Sequence, residues 1–300
     1  MKKNTGFGRF FCFFFFISMG IFFSCDQEPL FWDIAHEYPP IEPIIGGRVT
    51  RIVSAGTILG GDYRLYVTNG SIWEYNTAGP VWRQMAPSPG GSIIDLAVTN
   101  DILFALTSGG KILKYSTNWT EFNLSGVVHI FGAEIYLFAS VLTGTPGRPD
   151  AYKIVCLDTS GTEIKTLDYT GLLMGAVYDG TNYYLGTLGG GVHKFDGSTV
   201  TVTNFNNYIV GLTFDTSTGR IYAVTPTGIQ HSTNGTDITT ISGYNLSGAA
   251  AIWNDGTNNL LLTGILRSGS LYGYGYREIL INSGGHGSSY NLPGNAGIVN

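Results

Sequence analysis

NYYLGTLGGGVHKFD, running from Asn182 to Asp196, decides the fold: an apolar strand, a turn through Gly189, Gly190 and Gly191, then a second strand closing on Phe195-Asp196. The same order of strand, Gly-containing turn and strand recurs along the chain. It is seen in RLYVTNGSIWEYN from Arg64, ILFALTSGGKILKYS from Ile102, EIYLFAS from Glu134 with AYKIVCLD from Ala151, RIYAVTPTGIQHS from Arg220 and NLLLTGILRSGSLYGYG from Asn259. Aligned on Tyr66, Phe104, Tyr136, Tyr184, Tyr222 and Leu261, the units are spaced 38, 32, 48, 38 and 39 residues apart, a mean of 39. A period of that length marks a repeat architecture, in which one supersecondary unit buries its faces only against its neighbours.

Each unit carries a further apolar strand upstream: RIVSAGT from Arg51, SIIDLAVT from Ser92, VVHIFGA from Val127, LLMGAVYD from Leu172, IVGLTFD from Ile209 and AAAIWND from Ala249. These mix small with β-branched residues, which suits strands that crowd together. Most units add a downstream strand, as in VWRQM from Val81, TEFNL from Thr120, EIKTLDY from Glu163 and TVTVTNF from Thr199. Four short antiparallel strands in about 40 residues form the blade of a β-propeller. The expected fold is therefore all-β, a six-bladed propeller over residues 47–300. Seven blades remain the alternative, if Gly297-Ile298-Val299 opens another unit or 45–52 completes one; otherwise that last stretch pairs with the N-terminal blade and removes its edge. No segment of this region shows a sustained helical period.

The turns agree. Asp179-Gly180-Thr181-Asn182, Asp215-Thr216-Ser217-Thr218-Gly219 and Asn254-Asp255-Gly256-Thr257-Asn258 supply the positive φ and side-chain acceptors that hairpins use. They lack the alternating acidic ligands of a calcium loop, so no metal is expected. Asn182 to Gly197 resembles the short propeller repeat of the sensor regions of some two-component regulators. Ser232-Thr233-Asn234-Gly235-Thr236-Asp237 and Ser116-Thr117-Asn118-Trp119-Thr120 are similar to decayed Asp-boxes of sialidase-type propellers, with Asn234 where such a box has Asp. These resemblances imply fold and transfer no catalytic residue, because the box is structural in those families.

The first 25 residues give an address. Lys2, Lys3 and Arg9 precede an apolar run from Phe10 to Phe23, followed by Ser24-Cys25. A basic start, a short apolar segment and a small residue before the cut form a secretory signal. Those 14 residues fall short of the roughly 20 that span a bilayer, which makes an uncleaved anchor the weaker alternative. Ser24-Cys25 resembles the lipobox of bacterial lipoproteins, and its relaxed form, with Phe22 and Phe23 before Ser24, resembles that of spirochaetal lipoproteins. The resemblance implies lipidation of Cys25 as the mature first residue and placement in the bacterial cell envelope, on a membrane and facing the periplasm or the cell exterior. Cleavage without lipidation is the second alternative. Residues 1–24 are thus read as signal and 25–46 as the anchored Cys and a spacer, semi-rigid because of Pro39, Pro40 and Pro43.

Without the signal, 13 basic residues face 21 acidic ones, a net charge of −8. Nucleic acid is excluded as a partner, since phosphate binding needs clustered Lys and Arg. Cys12 leaves with the signal and Cys25 takes lipid, so Cys156 has no intramolecular disulfide partner and burial must hold the fold. Charged residues are 12% of the chain against a usual 25% or so, and 43 residues are Gly.

Common enzyme signatures are absent: no Gly-x-Ser-x-Gly elbow, no His-Glu-x-x-His, no Cys-x-x-Cys, no Walker loop and no dinucleotide fingerprint. The mature chain's arginines, Arg48, Arg51, Arg64, Arg83, Arg148, Arg220, Arg267 and Arg277, fall at differing places in the repeats, which argues against a sialidase-like carboxylate site. Three features could bind a ligand. Tyr272, Tyr274 and Tyr276 alternate with glycines and share one strand face, for stacking or for packing against the next blade. Asp95 and His129 lie on innermost strands and face either a ligand or a solvated channel; His129 has no neighbouring histidine pattern for a metal. The insertion from Ser140 to Asp150 carries Arg148 on what is commonly a binding face, though its Gly and Pro content equally suits a mobile loop.

The expected protein is a lipid-anchored, monomeric envelope propeller that binds an envelope protein or glycan and uses neither catalysis nor a cofactor. The alternative is a glycan-active hydrolase or lyase. A lectin with repeated pockets fits less well, because aromatic positions agree weakly between blades.

Overall fold

The computed structural model describes residues 50–56, 64–76, 81–146, 148, 151–168, 171–206, 208–226, 228–241, 249–254, 259–268, 271–280 and 285–291, with Asn76, Val81 and the last four segments as backbone alone. All of them belong to one compact unit, Ile45–Asn300. Cys25, residues 1–49 and Gly297 to Val299 lie outside the described residues.

The described chain is all-β, built of six four-stranded antiparallel sheets in which chain neighbours pair with chain neighbours. Sheet 1 holds β1 (Arg51–Ala55), β2 (Arg64–Thr68), β3 (Ile72–Asn76) and β4 (Val81–Gln84). Sheet 2 holds β5 (Ile93–Thr99), β6 (Ile102–Thr107), β7 (Ile112–Tyr115) and β8 (Trp119–Glu121). Sheet 3 holds β9 (Val127–Ala133), β10 (Tyr136–Leu142), β11 (Tyr152–Leu157) and β12 (Glu163–Leu167). Sheet 4 holds β13 (Leu172–Tyr178), β14 (Tyr183–Leu188), β15 (Gly191–Phe195) and β16 (Val200–Val202). Sheet 5 holds β17 (Gly211–Asp215), β18 (Arg220–Thr225), β19 (Gly228–Ser232) and β20 (Thr239–Ile241). Sheet 6 holds β21 (Ala249–Asn254), β22 (Asn259–Ser268), β23 (Leu271–Leu280) and β24 (Gly285–Asn291). Among the described residues there is no α-helix.

Strand alternation explains the packing. Successive side chains of a strand point to opposite faces, so a strand sandwiched between two sheets must be apolar on both. In β6, Leu103 and Ala105 join a cluster with Tyr66, Ile72 and Ile93, which fills the gap between sheets 1 and 2. Phe104 and Leu106, pointing the other way, join Ile130, Leu137 and Val155 between sheets 2 and 3. Phe138, Ile154 and Cys156 meet Leu173, Tyr183 and Phe195 between sheets 3 and 4. Tyr184 and Val192 meet Ile209, Leu212 and Ile221 between sheets 4 and 5. The repeated apolar runs therefore form a relay of interfaces.

The first strands of successive sheets lie side by side: β1 by β5, β5 by β9, β9 by β13, β13 by β17 and β17 by β21. Their small residues are needed there. A Cβ on Gly132 would stand 1.9 Å from the Val98 carbonyl oxygen, and one on Gly175 would stand 2.9 Å from the Leu212 Cβ. Side chains and loops add bonds from sheet to sheet, including Thr68 Oγ1 donating to Ile93 O at 3.1 Å, Thr99 Oγ1 to Glu134 O at 2.6 Å and the Gly56 N–H to Asp101 Oδ1 at 2.8 Å.

The described turns close as their sequences require, and Asp255 to Asn258 lie outside the described residues. Asp179 Oδ1 accepts from the N–H groups of Thr181 and Asn182 at 2.8 and 2.7 Å. Asp215 Oδ1 accepts from the Ser217 N–H at 2.9 Å and its hydroxyl at 2.7 Å. In the Asp-box-like turn, Asn234 Oδ1 accepts from the N–H groups of Thr236 and Asp237 at 2.8 and 3.0 Å, filling the Asp role as an amide.

Candidate functional site

Strand register brings one position per sheet into equivalence. Arg51 stands opposite Thr68, Asp95 opposite Leu106, His129 opposite Ser140, Gly175 opposite Gly186, Gly211 opposite Val224 and Ala251 opposite Thr263. In each case the second-strand partner lies two residues past Tyr66, Phe104, Phe138, Tyr184, Tyr222 or Leu261. The sheet 3 equivalent is thus Phe138 rather than Tyr136, the residue that spacing along the chain aligns, which sits two residues earlier on the same strand face. Sheets 1 to 3 place Arg, Asp and His at the shared position, whereas sheets 4 to 6 place residues with at most a methyl group.

A β-bulge adjoins this position in four sheets, with register shifts between Ile93 and Asp95, beside His129, between Leu173 and Gly175, and between Ala249 and Ala251. One extra residue re-aims the side chain that follows, which is why bulges gather beside functional positions. In sheets 1 to 5 the position lies toward the end where the second strand passes to the third, whereas in sheet 6 it falls midway along β22.

The three polar side chains meet. Asp95 Oδ1 is 3.2 Å from Arg51 Nε and accepts from the Leu96 N–H at 2.9 Å. Asp95 Oδ2 is 3.2 Å from His129 Nδ1 and accepts from the Ile130 N–H at 3.1 Å. A carboxylate offers about four acceptor directions, and all are used here. The Asp95 side chain is 5% exposed, against 22% for Arg51 and 41% for His129. The Arg51 guanidinium carbon lies 4.2 Å from the centroid of the Phe131 ring, a cation–π stack. Asp95 is thus a buried hub that orients a cation from sheet 1 and an imidazole from sheet 3.

The sequence singled out Asp95 and His129 and left a solvated channel lining as one reading; Asp95 is instead buried and fully bonded. Spacing along the chain does not align Arg51 with them, because the arginines fall at differing places in the repeats. It occupies the Asp95 and His129 position. The available signal was its place near the start of its upstream strand, matching Asp95 in the next.

Arg148 is exposed in the connection between β10 and β11, at the same end of the sheets as the cluster, with its N–H 3.4 Å from Thr145 O and its carbonyl accepting from the Ala151 N–H at 3.0 Å. Tyr272, Tyr274 and Tyr276 lie on β23 at register positions opposite Arg267, Ile265 and Thr263 of β22; their side chains are outside the described residues. Beyond Gly275, which pairs with Asn291, the β22–β23 ladder runs on through Tyr274, Gly273, Tyr272 and Leu271, which have no β24 partner among the described residues.

No group of three or more His, Cys, Asp or Glu among the described residues could hold a metal. Burial, with the nearby Asp158 charge, pushes the Cys156 thiol up to about 12, so it stays protonated and packed. Burial lowers His193 on β15 to about 4, against a weaker opposing bond to the Gly190 backbone.

Repeated four-stranded sheets, a charged hub where first strands converge and an exposed connection at the same end define a repeat-built all-β protein with a polar site assembled from three repeats. The chain belongs to the TP013X lipoprotein family, whose model matches residues 11–291. It is therefore an envelope lipoprotein. An uncharacterized lipoprotein of Treponema pallidum (strain Nichols) is 32% identical over 100 residues, covering 33% of this chain and about a quarter of that protein's length. The crystal structure of the computationally designed Ika8 protein matches with a TM-score of 0.56 and 11% identity over 81% of this chain and 87% of that one, a likeness of fold alone.

Proposed function

We propose that this chain is a non-catalytic, lipid-anchored binding module, a six-bladed propeller held to a membrane by Cys25 that recognises an envelope partner with the end of the blades carrying Arg51, Asp95 and His129. The single observation that carries this reading is the Asp95 hub, which fixes a partly exposed cation and imidazole from two different blades. Six sheets joined through their first strands support the propeller, and a family match that includes most of the apolar run and Cys25 supports the anchor.

Binding is favoured over hydrolysis by what surrounds the hub. An Asp–His pair orients an imidazole in acid–base sites, but a nucleophile must then lie within reach of the far nitrogen. Among the described residues no hydroxyl or thiol bonds to His129 Nε2, and no Glu or Tyr bonds to Arg51 or His129. The test uses the full-length tagged lipoprotein, cross-linked in intact cells and recovered by its tag. The expected result is one dominant cross-linked partner, weakened in an Arg51→Ala, His129→Ala double variant that still folds. Recovery of the lipoprotein alone would overturn the binding role.

A further inference from the structure

Arg51 turns only its Nε toward Asp95. Its two terminal nitrogens, four N–H donors in a flat fork, have no bond to any described residue. His129 turns Nδ1 toward Asp95, which leaves Nε2 uncommitted on a side chain 41% exposed. Asp95 holds both partners but has no lone pair left for a guest. What the site presents outward is therefore donors, with the carboxylate behind them.

The charge and shape of that donor set choose the guest. One guanidinium, one carboxylate and one imidazole leave at most one unit of excess positive charge, which matches a monoanion better than a phosphate dianion. The guanidinium fork is planar and matches a planar carboxylate through two parallel bonds. At the equivalent positions of sheets 4 to 6 the residues are Gly175, Gly211 and Ala251, so no long side chain arises there to compete with a guest.

The flanking residues choose between a sugar acid and a peptide. Ile94 directly precedes Asp95 in the bulged segment and is 40% exposed. A bond of 3.3 Å from Thr50 Oγ1 to Ile94 O ties the start of sheet 1 to that bulged segment. Sugars need hydroxyl-binding polar groups or an open aromatic face, and Phe131 already carries Arg51 on its ring. An exposed aliphatic side chain beside a cation suits a carboxylate with apolar neighbours.

We propose that the Arg51–His129 edge binds the side-chain carboxylate of an acidic residue flanked by apolar residues in a partner peptide. The assignment rests on the binding role above and deepens it. The test titrates the detergent-purified full-length lipoprotein with the acetylated, amidated tripeptide Leu-Glu-Leu, with Leu-Gln-Leu and with glucuronate, following the His129 ring signal by NMR, assigned through its loss in His129→Gln.

The expected result is saturable binding of Leu-Glu-Leu, weaker by about 10-fold or more for Leu-Gln-Leu and in Arg51→Met, with Arg51→Lys intermediate. Equal binding of the Glu and Gln peptides by the unaltered protein overturns the proposal and needs no variant to fold. Saturation by glucuronate without binding of Leu-Glu-Leu overturns it in favour of a glycan. Recovery of a cross-linked partner together with equal binding of the two peptides would remove the carboxylate assignment and keep the binding role. Selective Leu-Glu-Leu binding with no cross-linked partner would do the reverse.

Discussion

Both oxygens of Asp95 are occupied, by two backbone N–H groups, a guanidinium and an imidazole, in a side chain 5% exposed. Removing it would leave two buried N–H groups without an acceptor and Arg51 without its counter-charge. Losing one partner of a buried charge pair costs up to about 5 kcal/mol, and the partial exposure of Arg51 reduces this. Asp95→Ala is expected to lower unfolding free energy by about 2–4 kcal/mol, measured by urea denaturation; a loss below about 0.5 kcal/mol would contradict the hub. His193 makes a separate prediction. Its folded value of about 4 lies below its ordinary 6.5, so the stability tied to its neutral form is complete above about pH 6.5 and is lost as pH falls toward 4. The integrated loss is on the order of 3 kcal/mol. Urea midpoints measured from pH 7 to pH 4.5 should fall, and His193→Gln should flatten that slope.

At the scale of the element, Gly132 is the most constrained position of β9, because a methyl group there would meet the Val98 carbonyl oxygen of β5 at 1.9 Å. Backbone cannot swing aside as a side-chain tip can, so the two first strands would have to separate. Gly132→Ala is expected to cost about 3 kcal/mol or more, read from thermal or urea unfolding, whereas Gly180→Ala, with open space around it, should cost only what its positive φ imposes. Most strands were legible in the sequence for a physical reason: ILFALT and YYLGT are buried on both faces and read as apolar runs bounded by Gly turns. The fourth strands of sheets 5 and 6, Thr239–Ile241 and Gly285–Asn291, were not, since they are polar, and β20 is only three residues long. The site was half legible. Asp95 and His129 stand out as polar residues within apolar first strands, but Arg51 opens its strand, where a charged residue reads as the end of the loop before it. Register, which sequence does not display, is what aligned the three.

For the whole molecule, family membership makes the chain an envelope lipoprotein, and the attachment proposed for it is lipid on Cys25. Cys25→Ser in the full-length chain should move the protein from the membrane fraction to the soluble or secreted fraction, and should remove the diacylglyceryl mass from the mature N-terminus. Unchanged membrane retention, with no lipid mass on Cys25 in the native protein, would show that the attachment lies elsewhere.

Every sheet is closed by four strands that follow one another in the chain, and every described apolar cluster joins a sheet to the next one along. A polypeptide delivered N-terminus first can therefore complete sheet 1 from residues 51–84 while sheet 6 is still unmade, because no early strand waits for a distant partner. Folding can then proceed vectorially, each finished sheet becoming the template for its successor. The stretch exposed to misassociation at any moment is about one repeat long, so a chain that gains its structure from one end leaves few strand edges open.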